Sequence, residues 1–338
     1  MVSKKVFIVA EVGINHNGDI ELAKECIKAA AEAGANSVKF QNYKTENFIS
    51  NKNLKYSYLS QGVLIEESQY EMFKRCELTE RDVYSLFKEC KKYNLDFHCT
   101  PTDLEGINSL KKLGCKFLKN GSDYLTNLDL IKSMGESGLT TILSTGMATL
   151  SEIDDAVKVF KKTGNKNLIL LICTSSYPTP PKEVNLSRID SLRRIYNLPI
   201  GFSDHTEGVT ASVGAVFNGA IWIEKHFTLD KNLAGPDHRF SMDPNELKLL
   251  VTSIREAELM IGSSSLFPTK SEQKSRKNFR LSCVASRSIP AGRVLTRDDI
   301  SFRRPGSGLP PKMIDYLIDR KIKNSKKLGD VIKNHDLF

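Results

Sequence analysis

Two polar clusters close two short apolar runs in this 338-residue chain: Ser203-Asp204-His205 after residues 200–202, and Glu224-Lys225-His226 after residues 220–223. Between them, residues 209–217 read as a helix, so the stretch is strand, helix, strand with a histidine at the C-terminal end of each strand. Side chains alternate along a strand, which puts Ser203 on the face of His205 and Glu224 on the face of His226. If the strands are parallel neighbours, both imidazoles come to one rim, within reach of a single metal ion. The plainer alternative is two hydrogen-bonded histidines, and the rest of the chain has to weigh between them.

Going back to the elements that would position this pair, strands are expected at 6–10, 37–40, 96–100, 117–119, 141–143, 168–172, 200–202 and 220–223, each followed by a helical stretch. Thr79-x-x-Asp82, Thr149-x-x-Glu152 and Asp243-Pro244-Asn245-Glu246 carry helix-start signals. Strict alternation implies a parallel sheet, and eight units over residues 1–262 suit an α/β fold of the (β/α)8 TIM-barrel type. A doubly wound open sheet is the alternative, but no Gly-rich GxGxxG turn follows the first strand. The segment 42–78 is too long and polar for an ordinary connection and reads as a functional excursion.

Glu11, Lys39, Gln41, Thr100, Lys119, Ser122, Ser144, Ser203, His205, Glu224 and His226 all fall at or just past C-terminal strand ends. In a barrel, that end carries the chemistry. A lysine within an apolar strand is costly unless paired. Lys39 and Lys119 therefore read either as salt-bridge partners of Glu11 and Glu224 or as an anion site built with the neighbouring hydroxyls, suited to a phosphate or a phosphorylated carboxylic acid.

No apolar run approaches the roughly 20 residues of a membrane span. The start, MVSKKVFIVAEVG, reads as a first strand and not as a signal peptide, because Glu11 interrupts it. Seven scattered cysteines without CxxC pairs suggest reduced thiols in a cytoplasmic protein and argue against a zinc cluster. The formal charge of +9 is uneven: residues 263–338 hold 17 Lys+Arg against 7 Asp+Glu, while 1–262 hold 32 against 33. A basic linker, 263–280, and a compact unit, 281–338, therefore follow a near-neutral body. A unit of that size is small for independent stability. Its charge suits closure over an anionic ligand, or nucleic-acid binding.

The motifs AEVGINHNGD at 10–19, VKFQ at 38–41, CTP at 99–101, LSTGM at 143–147, CTSSYPTP at 173–180, GFSDH at 201–205, IEKHFTLDK at 223–231, GPDH at 235–238 and RRPGSG at 303–308 resemble, in order, those of the sialic acid synthase family. That family includes N-acetylneuraminate, legionaminate and pseudaminate synthases, and residues 281–338 resemble its antifreeze-like (SAF, β-clip type) domain. The resemblance implies an enzyme that condenses phosphoenolpyruvate with an N-acetylated amino sugar and releases phosphate by C–O cleavage. A divalent metal, Mn2+ or Mg2+, would assist, held by His205 and His226. In such a reaction Lys39 and Lys119 would offset phosphate charge as it builds, and either Glu11 or Glu224 could accept the attacking water's proton, unless Glu224 only pairs with a lysine. Phosphoenolpyruvate would contact Thr100, Ser122, Ser144, Ser175 and Ser203, and the sugar would contact Gln41, Tyr177 and Asp237. Arg304 would reach into the partner's barrel in a swapped homodimer. Where the family commonly has a Glu, this chain has Tyr124, with Asp123 beside it as a sugar contact, and Ser175 stands for a common Asn. Neither a nucleic acid nor a membrane is expected as a partner.

Two other classes stay open on the residues alone. A Schiff-base aldolase would use a strand-end lysine in the same barrel. A non-enzymatic role would rest on the basic C-terminal unit, although that unit lacks aromatic residues interleaved for base stacking.

Overall fold

A computed structural model describes residues 5–338. The first four residues of the basic start lie outside it. One compact unit ends at Gly262 and a second spans Ser263–Phe338.

The first unit is built on strands β1 (Phe7–Gly13), β2 (Ser37–Asn42), an inserted hairpin β3 (Lys55–Ser60) and β4 (Val63–Ser68), then β5 (Asp96–Pro101), β6 (Phe117–Asn120), β7 (Thr140–Ser144), β8 (Leu168–Ile172), β9 (Ile200–Asp204) and β10 (Trp222–His226). The parallel sheet runs β5-β2-β1-β10-β9-β8-β7-β6, and β5 and β6 lie side by side at its ends, closing a TIM-type barrel. Eight helices alternate with these strands, most of them amphipathic, while Thr210–Phe217 is largely apolar. The capping boxes at Thr79/Asp82, Thr149/Glu152 and Asp243/Glu246 all form.

The strands run further than their apolar runs suggested. β1 continues to Gly13, β9 to Asp204 and β10 to His226, so Glu11, Glu224 and His226 lie within strands rather than beyond them. β10 also begins at Trp222, later than the expected residue 220. At Glu11 the β1–β2 register slips by one residue, and Gly13 takes φ +55° there. A Cβ on Gly13 would come within 3.2 Å of Glu11 Oε1, so glycine both fits the backbone and leaves the carboxylate room.

The N-terminal end of the barrel is plugged by aromatics. Phe7 stacks on Trp222 at 4.3 Å between ring centroids, and Phe117 packs edge-on to Trp222 at 5.2 Å. His98 completes the plug and shares a 2.8 Å hydrogen bond with Ser37 Oγ. With that end closed, polar groups collect at the other.

The second unit pairs β11 (Ser282–Ala285) antiparallel with β12 (Ile300–Arg303) around Cys283, Ile289, Leu295, Leu317, Ile322 and Ile332. Val294 contributes an isolated bridge to Lys321. The expected linker is not irregular throughout, since Glu272–Phe279 is helical. All seven cysteines are free and buried. No helix among the described residues is long and apolar enough to cross a membrane.

Asp299 anchors this unit. Its buried carboxylate accepts from Thr296 N–H at 3.0 Å and from Arg287 and Arg293 at 2.8 and 3.1 Å. Burial alone would raise its pKa, but the Thr296 N–H and the guanidinium bonds outweigh it and hold the group below the ordinary carboxylate range. Such a group stabilises the fold above its unfolded pKa, and the stabilisation is lost as pH falls below about 4. Asp299→Asn is expected to cost about 2 kcal/mol and to flatten the acid limb of stability, both read from thermal unfolding of the full chain between pH 7 and 3.

Candidate active site

The open end of the barrel holds a cavity of about 720 Å3. Glu11 (β1), Lys39 and Gln41 (β2), Thr100 (β5), Lys119 (β6), Ser144 (β7), Ser203 (β9), and Glu224 and His226 (β10) line it from the strands. Ser122, Asp123, Ser175, Tyr177, His205 and Asp237 line it from the loops that follow. Every first-unit residue singled out in the sequence is therefore brought to one space. Arg304 belongs to the second unit, where its guanidinium sits 5.2 Å from the Phe279 ring.

The floor is a buried charge cluster. Lys39 Nζ donates to Glu224 Oε1 at 3.0 Å and lies 3.3 Å from Glu11 Oε2. Glu224 Oε1 also accepts from Ser203 Oγ at 3.2 Å, with Lys119 Nζ at 3.6 Å. Lys119 in turn donates to Ser144 Oγ at 2.6 Å and to the Asn120 carbonyl at 3.0 Å. These four charged side chains are no more than 5% exposed. The two readings of the lysines thus combine, since the salt-bridge partners and the hydroxyls of an anion site are both present.

The carboxylates are not equivalent. Burial pushes Glu11 up to about 8, more than Lys39 can offset. Burial also acts on Glu224, but there Lys119 and Lys39 together outweigh it and hold it ionised. Burial lowers Lys119, only partly countered by Glu224, whereas Glu11 and Glu224 overcome burial at Lys39 and raise it. Burial thus favours the neutral form at Glu11 and the lysines favour the ionised form at Glu224, so two lysines share a floor with carboxyl groups of unequal acidity. Glu11 Oε2 and Glu224 Oε2 have no hydrogen-bond partner.

Hydroxyls ring this floor. Ser122 Oγ accepts from Gly146 N–H at 3.1 Å and lies 3.0 Å from Cys173 Sγ. A Cβ on Gly146 would fall 2.7 Å from both Ser122 Oγ and Cys173 Sγ, so only glycine lets this turn approach.

The two imidazoles stand at one side, with ring centroids 5.5 Å apart. His205 Nδ1 donates to the Thr174 carbonyl at 2.8 Å, which fixes the tautomer and leaves Nε2 as an acceptor, 3.4 Å from Ser203 Oγ. Burial lowers both pKa values, for His226 well below the ordinary range with help from His205 and Lys39. Neutral imidazoles bordering a polar cavity are the donor type a divalent metal takes. Buried His226 Nδ1 has no partner, and Asp237 Oδ2 is 3.7 Å away. Burial raises Asp237 to about 7. Among the described residues no cluster of three or more His, Cys, Asp or Glu could hold a metal, so a cation here would take two imidazoles and find its other ligands in substrate or water.

Residues not singled out in the sequence make the outer wall. Tyr43, Phe48, Tyr56, Met72 and Phe73 come from the excursion at 42–78, and Tyr124 and Met147 from later loops. The hairpin that carries Tyr56 has a two-residue Gln61-Gly62 turn with both φ positive, a signal readable in sequence. His16 and His238 are buried. His16 Nδ1 accepts from Gly18 N–H, and His238 joins Thr228 to Asn17 at 2.7 and 3.1 Å.

Residues 26–265, most of the chain, match the NeuB family. The chain belongs to the NeuB family. Residues 282–337 match the SAF domain. N,N'-diacetyllegionaminic acid synthase of Campylobacter jejuni is 41% identical over 98% of this chain and 99% of its own length. A pseudaminic acid synthase of the same species is 33% identical over 98% and 97%. The crystal structure of N-acetylneuraminic acid synthetase from Leptospira borgpetersenii, in complex with citrate, superimposes with a TM-score of 0.73 at 39% identity, covering 81% of this chain and 90% of that one. The NeuB-family chain is thus an enzyme of sialic acid synthase type, a TIM barrel with a C-terminal SAF domain. This sets aside the non-enzymatic reading of the basic unit.

A floor that places two lysines beside several hydroxyls has a direct consequence. Inorganic phosphate is expected to raise the melting temperature of this NeuB-family enzyme, by about 2.7 kcal/mol in stability at 100 times its Kd. Lys119→Met is expected to remove most of that rise, as read by thermal-shift titration.

Proposed function

We propose that this enzyme condenses phosphoenolpyruvate with a 2,4-diacetamido-trideoxyhexose to give a nine-carbon nonulosonic acid of the legionaminate type. The observation that carries the reading is the junction of two half-sites in one cavity: a buried floor with two lysines and hydroxyls beside two neutral imidazoles. The choice of sugar is supported by the 41% identity to the legionaminic acid synthase against 33% to the pseudaminic acid synthase. The aromatic outer wall supports it too, since a deoxy sugar with two acetamido groups presents methyl groups where N-acetylmannosamine presents hydroxyls.

Lys39 and Lys119 offset the phosphate and carboxylate charge of phosphoenolpyruvate, with Ser122, Ser144, Ser203 and Thr100 as hydrogen-bonding groups. Ser175, also in the cavity, adds a further hydroxyl. Gln41, Asp123, Tyr177 and Asp237 face the sugar. His205 and His226 would hold a divalent metal, Mn2+ or Mg2+, which when bound would supply Lewis-acid polarisation of the open-chain aldehyde. The enol carbon forms the new C–C bond to the aldehyde carbon, water adds at the adjacent cationic carbon, and the C–O bond to phosphate breaks. Glu11 or Glu224, each with an Oε2 that has no hydrogen-bond partner, accepts the water's proton in its ionised form, and the other stays a charge partner of the lysines. On the same reading the enzyme is a homodimer in which Arg304 acts at the partner's cavity.

A Schiff-base aldolase would draw on Lys119, whose pKa burial lowers. That nitrogen already donates to Ser144 and the Asn120 carbonyl, so borohydride is expected to trap no pyruvate adduct.

Phosphate release from phosphoenolpyruvate, assayed with each candidate sugar, is expected to need a diacetamido sugar and to stop under chelator. His205→Ala and His226→Ala should each lower kcat/KM by at least about 100-fold with an unchanged circular dichroism spectrum. Turnover in chelator by either variant would end the metal reading, and a preference for N-acetylmannosamine would end the sugar assignment.

A further inference from the structure

His205 and His226 are held differently. His205 has its Nδ1 tied to Thr174 and its carbonyl accepting from Thr179 N–H at 2.8 Å. The ring of His226 has no hydrogen-bond partner at buried Nδ1, so it is placed by its backbone and by contact with Tyr177, Phe240 and His205. The backbone ladder between β9 and β10 also stops one residue short of both histidines, with Lys225 opposite Asp204 as its last pair.

At that last pair the strands are joined by charge. Lys225 Nζ donates to Asp204 Oδ2 at 2.9 Å and to the Thr206 carbonyl at 2.6 Å. Asp204 Oδ1 accepts from Thr206 N–H and Oγ1, both at 2.8 Å. Asp204 Oδ2 also accepts from Ser212 Oγ at 2.6 Å, in the helix Thr210–Phe217. Both charged residues are buried, at 1% and 2% exposure, on the face of their strands opposite Ser203 and Glu224, and neither lines the cavity. The network thus fixes the residue before His205, the residue after it, and the residue before His226.

A buried ion pair is a poor way to stabilise a fold, because an apolar pair of similar volume often does as well. What it supplies is directed bonds at a fixed length. We propose that Asp204 and Lys225 are positioning residues which set the separation of the His205 and His226 imidazoles, and through it the affinity of the pair for a divalent cation. This rests on the metal reading above.

The test is Mn2+ alone titrated into the metal-free full chain, with free Mn2+ followed by electron paramagnetic resonance. The neutral double variant Asp204→Asn/Lys225→Met is expected to melt within a few degrees of the parent, yet to bind Mn2+ about 10- to 100-fold more weakly. Its stabilisation by inorganic phosphate, which is bound elsewhere on the floor, should be kept. An unchanged Mn2+ Kd at a parental melting temperature would overturn the proposal and leave the metal reading standing. Absence of Mn2+ binding by the parent chain would overturn both. Should the double variant not fold, Ser212→Ala removes one donor to Asp204 from the side away from the cavity. A loss of several-fold in Mn2+ affinity is expected there, and parental affinity would again overturn the proposal.

Discussion

A lysine ammonium and two glutamate side chains share one dry space at the heart of the barrel, and the rest of the first unit follows from keeping them together. Lys39 cannot be buried alone, because desolvating an ammonium costs several kcal/mol. Glu224 stabilises it at 3.0 Å, Glu11 lies 3.3 Å away, and Lys119 and Ser203 share the same carboxylate oxygen. These residues come from β1, β2, β6, β9 and β10, so the cluster exists only once the sheet has closed. The aromatic plug packs below the cluster at one end of the barrel, and the cavity opens above it at the other.

The same constraint explains what could be read from the sequence. The order of strands and helices was legible because each strand is an apolar run that ends in polar residues, and most barrel helices carry an amphipathic face or a capping signal, Thr210–Phe217 having neither. The strand ends were read short at residues 10, 202 and 223, because a charge inside a strand looks like the end of one. Here the charges pair across neighbouring strands, so Glu11 and Glu224 stay within the ladder. The floor of the cavity was legible for the same reason, since its residues are conspicuous by being charged or hydroxylic where aliphatics should be.

The outer wall was not legible. Phe48, Tyr56, Met72 and Phe73 look in sequence like ordinary apolar residues of a long segment, and nothing in their spacing tells wall from core. Only the folding back of β3 and β4 turns Tyr56 toward the cavity. The burial of His16 and His238 was not legible for a related reason. Their partners, Gly18, Thr228 and Asn17, lie on loops whose packing no local period reports. Nor did any single residue type mark Asp204 and Lys225 as a pair, because their meeting depends on strand register alone.

The hairpin β3–β4 is tethered to the barrel lightly, by Gln61 donating to the Asn232 carbonyl and by Ser60 accepting from Gly235 N–H. Its residues touch the cavity but take no part in the charge balance beneath it. Replacing Tyr56 reshapes one side of a pocket, whereas replacing Glu224 strands two ammoniums. The scaffold therefore separates what is free to drift from what is not. Such a lineage can diversify the molecules it accepts by accumulating changes in one inserted segment, while the bond-making apparatus stays frozen by its own electrostatics.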